Sequence, residues 1–188
     1  MSRKTDVGVD LGLSEEERQE LLKIARTAIE NRFRKDPAPI HAPSWEKLKE
    51  NRGAFVCVKK KGMLRGCMGS FEADEPVYKT VEVLAQTAAF RDPRFAPLHE
   101  DELPYLDLEI SVLTPLTEIN DPEEIQVGLH GIFIRRGVRS GVLLPQVATE
   151  RNWDRVTFLE ETCRKAGLPL DAWRDEGTKI YVFSADVF

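Results

Sequence analysis

The amino-acid sequence predicts an α+β fold of two lobes. Each lobe is a β-β-α-β unit with helices packed on antiparallel sheet, and a cleft lies where the lobes meet. Three observations predict it. Short apolar-rich segments are joined by glycine-bearing turns, as at Lys61-Gly62. Apolar residues recur at helical spacing between those segments. The order strand, turn, strand, helix, strand occurs twice, over residues 53–114 and 131–186, the pattern of an internal duplication.

Residues 1–13 read as a weakly ordered lead-in and residues 14–188 as one domain. Ser14 and Glu17 form an S-x-x-E capping box. Leu21, Ala25, Ala28, Ile29 and Phe33 follow at helical spacing, so a helix is predicted over 15–33. Pro37, Pro39 and Pro43 keep the next stretch extended, with Trp45 and Leu48 as its anchors. Residues 53–60 and 63–70 are predicted as a hairpin. Pro76 suits a first helical turn. Val77, Val81, Leu84, Ala85, Ala88 and Ala89 then form a stripe that ends near Phe90 to Pro93. Leu106, Leu108, Ile110 and Val112 alternate in a half-buried strand over 105–114.

In the second half, Gly131-Ile132-Phe133-Ile134 echoes Gly53-Ala54-Phe55-Val56. Arg136-Gly137 echoes Lys61-Gly62, and Ser140-Gly141 echoes Arg65-Gly66. A helix over 152–166 carries Val156, Leu159, Cys163 and Ala166 on one stripe, with Gly167 as its stop signal. A strand over 179–183 closes the unit.

Composition narrows the function classes. The 188 residues are 41% apolar and 31% charged, an ordinary globular balance. Segments approaching the ~20 apolar residues of a membrane span are absent, as is the apolar core of a secretion signal, so a cytoplasmic location without membrane attachment is expected. A net charge of −5 argues against general nucleic-acid binding. Cys57, Cys67 and Cys163 lack Cys-x-x-Cys spacing, which argues against a zinc site and a disulfide framework.

Chemistry concentrates in the first hairpin. Counting outward from Lys61-Gly62, Val58 faces Arg65, Cys57 faces Gly66 and Val56 faces Cys67. Arg65 and Cys67 then share one face and Cys57 lies on the other, which makes a Cys57–Cys67 disulfide geometrically unfavourable. Arg65 could favour the Cys67 thiolate, and Gly66 and Gly69 would let a ligand approach the backbone. The competing reading of Cys67 is a small buried hydrophobe, and Cys163, on a helix stripe, is read as core. Glu109 is either a general base, an anchor for Arg65, or part of a solvated sheet face. His130, between Leu129 and Gly131, is either an accessible acid-base group titrating near neutral pH or a plain turn residue. Of Arg91 and Arg94, one is expected to cap helix carbonyls. The other is open to anion binding, with Arg94 a candidate beside Arg65 and Gly66. Lys59, Lys60 and Lys61 at one hairpin tip, and Arg135, Arg136 and Arg139 at the other, would suit a small anionic ligand or an acidic partner.

Leu64-Arg65-Gly66-Cys67-Met68-Gly69 resembles the LRGCIG signature of the AMMECR domain family, whose prokaryotic members are AmmeMemoRadiSam system protein A. Phe90-Arg91-Asp92-Pro93-Arg94-Phe95, Leu108-Glu109-Ile110-Ser111-Val112-Leu113 and Leu143-Leu144-Pro145-Gln146-Val147 resemble further segments of the family in the same order. So do Gly128-Leu129-His130-Gly131 and Lys165-Ala166-Gly167-Leu168. Met68 replaces the usual Ile, a packing substitution of similar volume. The resemblance implies two α+β lobes with a groove and association with a Memo-like protein and a radical SAM protein. It leaves reaction and cofactor open. Three functions follow as expectations. The first is an enzyme or enzyme component with Cys67 as nucleophile, Arg65 as its activator, and Glu109 and His130 as the acid-base pair. The second is a binding subunit that docks those partners. The third and weakest is a nucleotide or nucleic-acid binder.

Overall fold

Ser14 accepts the Glu17 N–H while the Glu17 carboxylate accepts the Ser14 N–H, and this reciprocal cap starts helix α1, Glu15–Glu30. The chain is described by a computed structural model over residues 11–71 and 74–188. The predicted lead-in falls largely outside those residues, although Leu13 is buried. Leu21, Ile24, Ala25, Ala28 and Ile29 are the buried face of α1. Of the two expected anchors, Leu48 is fully buried and Trp45 is exposed.

The chain forms two units, one of residues 12–113 with 187–188 and the other built on residues 114–186. In the first, β1 (Ala54–Lys60) and β2 (Met63–Ser70) form a hairpin. Lys61 and Gly62 both have positive φ, 51° and 79°, as a type I′ turn requires. Helix α2, Val77–Phe90, follows, and then β3, Leu106–Leu113, which pairs antiparallel with β1. Phe188 exchanges both backbone hydrogen bonds with Ile110 beside the last strand, β8 (Ala185–Val187), so the sheet order is β2-β1-β3-β8. Ala54, Val56, Val58, Ile110 and Val112 form the buried face under α1 and α2.

The second unit repeats the order. A short strand β4 (Thr117–Ile119) precedes the hairpin of β5 (Gly131–Arg136) and β6 (Arg139–Leu143). Helices α3 (Pro145–Glu150) and α4 (Arg155–Lys165) lead to β7, Lys179–Phe183, which pairs with β5. The sheet order is β4-β7-β5-β6, so β6-β5-β7 matches β2-β1-β3. Its core joins Ile132, Ile134, Phe158, Leu159, Cys163 and Ile180. Cys163 is core, as predicted, whereas Val156 is exposed and Phe158 takes its place. The turn is Gly137-Val138, with the glycine first, not Arg136-Gly137.

Among the described residues no helix is long and apolar enough to cross a membrane.

Candidate functional site

The register of the first hairpin differs from the predicted one by a single residue. Lys59 pairs with Leu64 but Val58 pairs with Gly66, so Arg65 is an extra, unpaired residue in β2. Such a β-bulge shifts every later partner by one. Cys57 therefore stands directly opposite Cys67, with Cα atoms 4.0 Å apart, and the two form a disulfide. This overturns the expected separation of the cysteines onto opposite faces. The signal for the bulge lies in the other hairpin. Gly141 pairs with Ile134, the third residue before its turn, and Gly66 pairs with Val58, the third residue before its own. A side chain at Gly66 would strike the Ala88 carbonyl of α2, and one at Gly141 would strike the α4 backbone at Thr162 and Ala166. Both glycines sit where a helix backbone rests on the hairpin, and only a bulge brings Gly66 there. Gly66 is accordingly enclosed, and the approach it permits is that of a helix.

The unpaired outer edge of β2 is occupied at Cys67. Asp92, buried after the end of α2, accepts the Cys67 N–H at 2.9 Å, and Arg94 donates to the Cys67 carbonyl at 3.1 Å. Arg94 also donates twice to Asp92 from its guanidinium, at 2.9 and 2.7 Å. That pairing holds the Asp92 carboxyl well below the usual carboxylate range, against the opposing cost of burial. Arg94 thus clamps Asp92 and β2 rather than helix carbonyls, while the Arg91 side chain is exposed. Asp92 went unnoticed in the sequence because an Asp before Pro reads first as a helix terminator.

Arg65 lies in a similar brace. It donates to both oxygens of Glu102 at 3.0 Å and to the Ala96 carbonyl at 2.8 Å. Lys60 reaches the same carboxylate at 2.8 Å. The Arg65 hydrogen bonds, then those of Lys60 and the His99 N–H, lower the Glu102 pKa to about 2 against burial. Arg65 therefore anchors on Glu102 and not on Glu109, and its guanidinium is largely spent inside the fold.

Glu109 stands directly opposite Cys57 on the other side of β1, on the sheet face away from the helices. It pairs with Lys59 at 2.6 Å, and both side chains are about one-third exposed. That face carries in sequence Phe55, the half-buried Cys57–Cys67 pair and the Lys59–Glu109 pair. Gly69 opposite Phe55 leaves room for the phenyl ring, which also packs edge-on against Phe71 at 5.5 Å.

His130 belongs to the other unit. Its Nδ1 accepts the Gln126 N–H at 3.2 Å while its backbone N–H donates to the Gln126 carbonyl at 2.9 Å. Burial lowers its pKa, so the ring is neutral near pH 7, with its proton on Nε2. The hydrogen bonds with Gln126 place His130 in the turn before β5.

The AMMECR1 family profile matches residues 22–188, nearly nine-tenths of the sequence. The chain belongs to the AMMECR1 family. It is 42% identical to a protein of Methanopyrus kandleri over 94% of this chain and 89% of that one. It is 43% identical to a protein of Methanothermobacter thermautotrophicus, covering 94% and 95%. The crystal structure of an uncharacterised protein from Pyrococcus horikoshii is similar with a TM-score of 0.85 and 38% identity, over 93% of this chain and 92% of that one. For this AMMECR1 protein, then, three segments that carry the family resemblance meet in one unit. The bulged strand β2, the Asp92–Arg94 loop and the β3 segment with Glu109 surround a cysteine pair.

Proposed function

We propose that the protein is an enzyme component that works with Memo-like and radical SAM proteins and supplies the reduced Cys67 thiol as a nucleophile. One observation carries this reading: Asp92 and Arg94 hold both the N–H and the carbonyl of Cys67 from the outer edge of β2, while the residue is half-buried on the sheet face away from the helices. A nucleophile positioned by groups other than its own side chain is pre-organised for attack. The frame itself does not call for a thiol there. The equivalent positions of the second unit hold Phe133, Val142 and Tyr181 where this unit holds Cys57, Cys67 and Glu109. Glu109 is the nearby group suited to accept a proton, with Lys59 balancing its charge. The partners rest on the family resemblance, and an anionic ligand would meet Lys59 on this face.

The test co-expresses the three proteins and compares cell extracts by mass spectrometry. Species that require the wild-type chain should disappear with Cys67→Ser. Their persistence would end the nucleophile role.

A second reading, a non-catalytic docking subunit, is favoured by the hairpin tip. Met63 is 71% exposed and Leu64 46%, next to Tyr105 at 53%, whose ring Lys61 covers. Apolar side chains standing out beside a cation suit a protein surface. On this reading Leu64→Asp with Met63→Asp abolishes co-purification with the partners, and Cys67→Ala leaves it intact.

A further inference from the structure

Cys57 has no part in the nucleophile reading, yet it is the residue on which the site's state depends. We infer that Cys57 and Cys67 are a reversible dithiol–disulfide couple, exchanging with a thiol reductant of the dithiol class, in which Cys57 masks and releases Cys67. The inference deepens the assignment of Cys67 and uses its reduced form, but its own evidence is separate.

Three observations carry it. The bulge at Arg65 sets the two residues directly opposite each other, 4.0 Å apart at Cα, on neighbouring strands. Residues directly opposite in a ladder stay together when the sulfur bond opens, so closure needs no chain rearrangement. The strands are also fixed without the bond. The Lys61-Gly62 turn, the pairing of β1 with β3, and the hold of Asp92 and Arg94 on Cys67 each keep the hairpin in place. The second hairpin keeps the same pairing with Phe133 and Val142. Lastly, both cysteines are only partly buried and lie on the face away from the helices, whereas Cys163 is fully enclosed. A disulfide that the architecture does not need, between residues that are only partly buried, is of the exchanging kind.

The step balances. A thiolate of the reductant attacks Cys57 Sγ, forming a mixed disulfide and breaking the Sγ–Sγ bond. Cys67 leaves with the electron pair as the thiolate. The second thiol of the reductant then attacks its own sulfur in the mixed disulfide and expels Cys57, which takes up a proton. Two electrons have passed to the protein, the proton on Cys57 comes from the second thiol of the reductant, Cys67 takes its proton from water, and the reductant is left as a cyclic disulfide. Oxidation of the dithiol pair by a disulfide reverses these steps and masks Cys67.

The experiment uses the full chain, purified without reductant and alkylated before and after native treatment with dithiothreitol, with peptide mass spectrometry to locate the labels. Before treatment Cys57 and Cys67 should be unlabelled. After it both should label fully while Cys163 stays protected, and removal of dithiothreitol with addition of oxidised glutathione should restore the block. In Cys57→Ser, labelling of Cys67 without reductant should rise at least about tenfold over wild type, because no second cysteine masks it. Free Cys57 and Cys67 under oxidised glutathione would overturn the couple, and so would a bond that opens only after urea unfolds the chain. These readouts use no pathway activity, so an inactive nucleophile and a non-exchanging couple give different results.

Discussion

Glu102 collects Arg65, Lys60 and the His99 N–H on one buried carboxylate, and with Asp92 and Arg94 it holds the bulged strand to the segment after α2. Its pKa falls from an ordinary 4.5 to about 2, chiefly through Arg65. A depressed carboxylate stabilises the folded state above its unfolded pKa. That contribution is lost as pH falls from about 4.5 towards 2. Glu102→Gln removes the charge and leaves Arg65 inside the fold without its counter-ion. The expected cost is about 2–3 kcal/mol at pH 7, a fall in Tm of roughly 5–10 °C by calorimetry. Between pH 4.5 and 2 the variant should also lose stability less steeply than wild type. An unchanged pH dependence would mean that the carboxylate is not linked to folding. Sequence reasoning could not find Glu102. It sits in a polar turn, His99 to Tyr105, where acidic residues are common, and only the path of the chain brings it to Arg65.

The hairpin-and-helix unit depends on a glycine beneath the helix, and this makes the two units mutual controls. Gly66→Ala and Gly141→Ala each force a methyl group against helix backbone, which has no side-chain freedom with which to yield. Each should lower stability by about 2–3 kcal/mol, measured by denaturant midpoint at unchanged m-value. Gly62→Ala, by contrast, meets no atom within 4 Å and pays only for its positive φ of 79°, so about 1 kcal/mol is expected. A Gly66→Ala variant as mild as Gly62→Ala would show that α2 can slide, and would weaken the account of the bulge. The same elements show how far the sequence could be read. The capping box, the presence of the two hairpins, the stripes of α1 and α2 and the β7 strand were legible because each is written in local spacing. The bulge was not, since one extra residue leaves the apolar alternation on either side of it intact. The Cys57–Cys67 pairing was lost with it, and so was the recognition that Arg65 faces Glu102 instead of Glu109. Strands β4 and β8, each three residues long, are too short for alternation to declare them.

At the scale of the whole molecule, the charged networks are distributed unequally between the two units, and acid should therefore act on them in a fixed order. The unit of residues 114–186 contains His130, whose pKa burial holds below 6.5. A neutral, partly buried imidazole favours the folded state above the unfolded pKa, and this contribution is lost as pH falls through the folded value. The loop closed by Gln126 and His130 should loosen first, below about pH 6.5, because a protonated Nδ1 cannot accept the Gln126 N–H. The unit of residues 12–113 contains Asp92 and Glu102, both depressed, and keeps their contribution until the pH is below the ordinary values of 3.8 and 4.5. Hydrogen exchange followed by mass spectrometry, after correction for the intrinsic pH dependence of exchange, separates the two. As the pH falls below 6.5, protection should fall first at residues 126–130 while it holds at residues 63–70 and 92–102. Below pH 4 the second group should follow, with the Cys67 amide losing protection as Asp92 is protonated. In His130→Gln the first transition should vanish while the second stays where it was. A single transition that carries both groups together would mean that stability is shared across the units, and that no local network sets the response to acid.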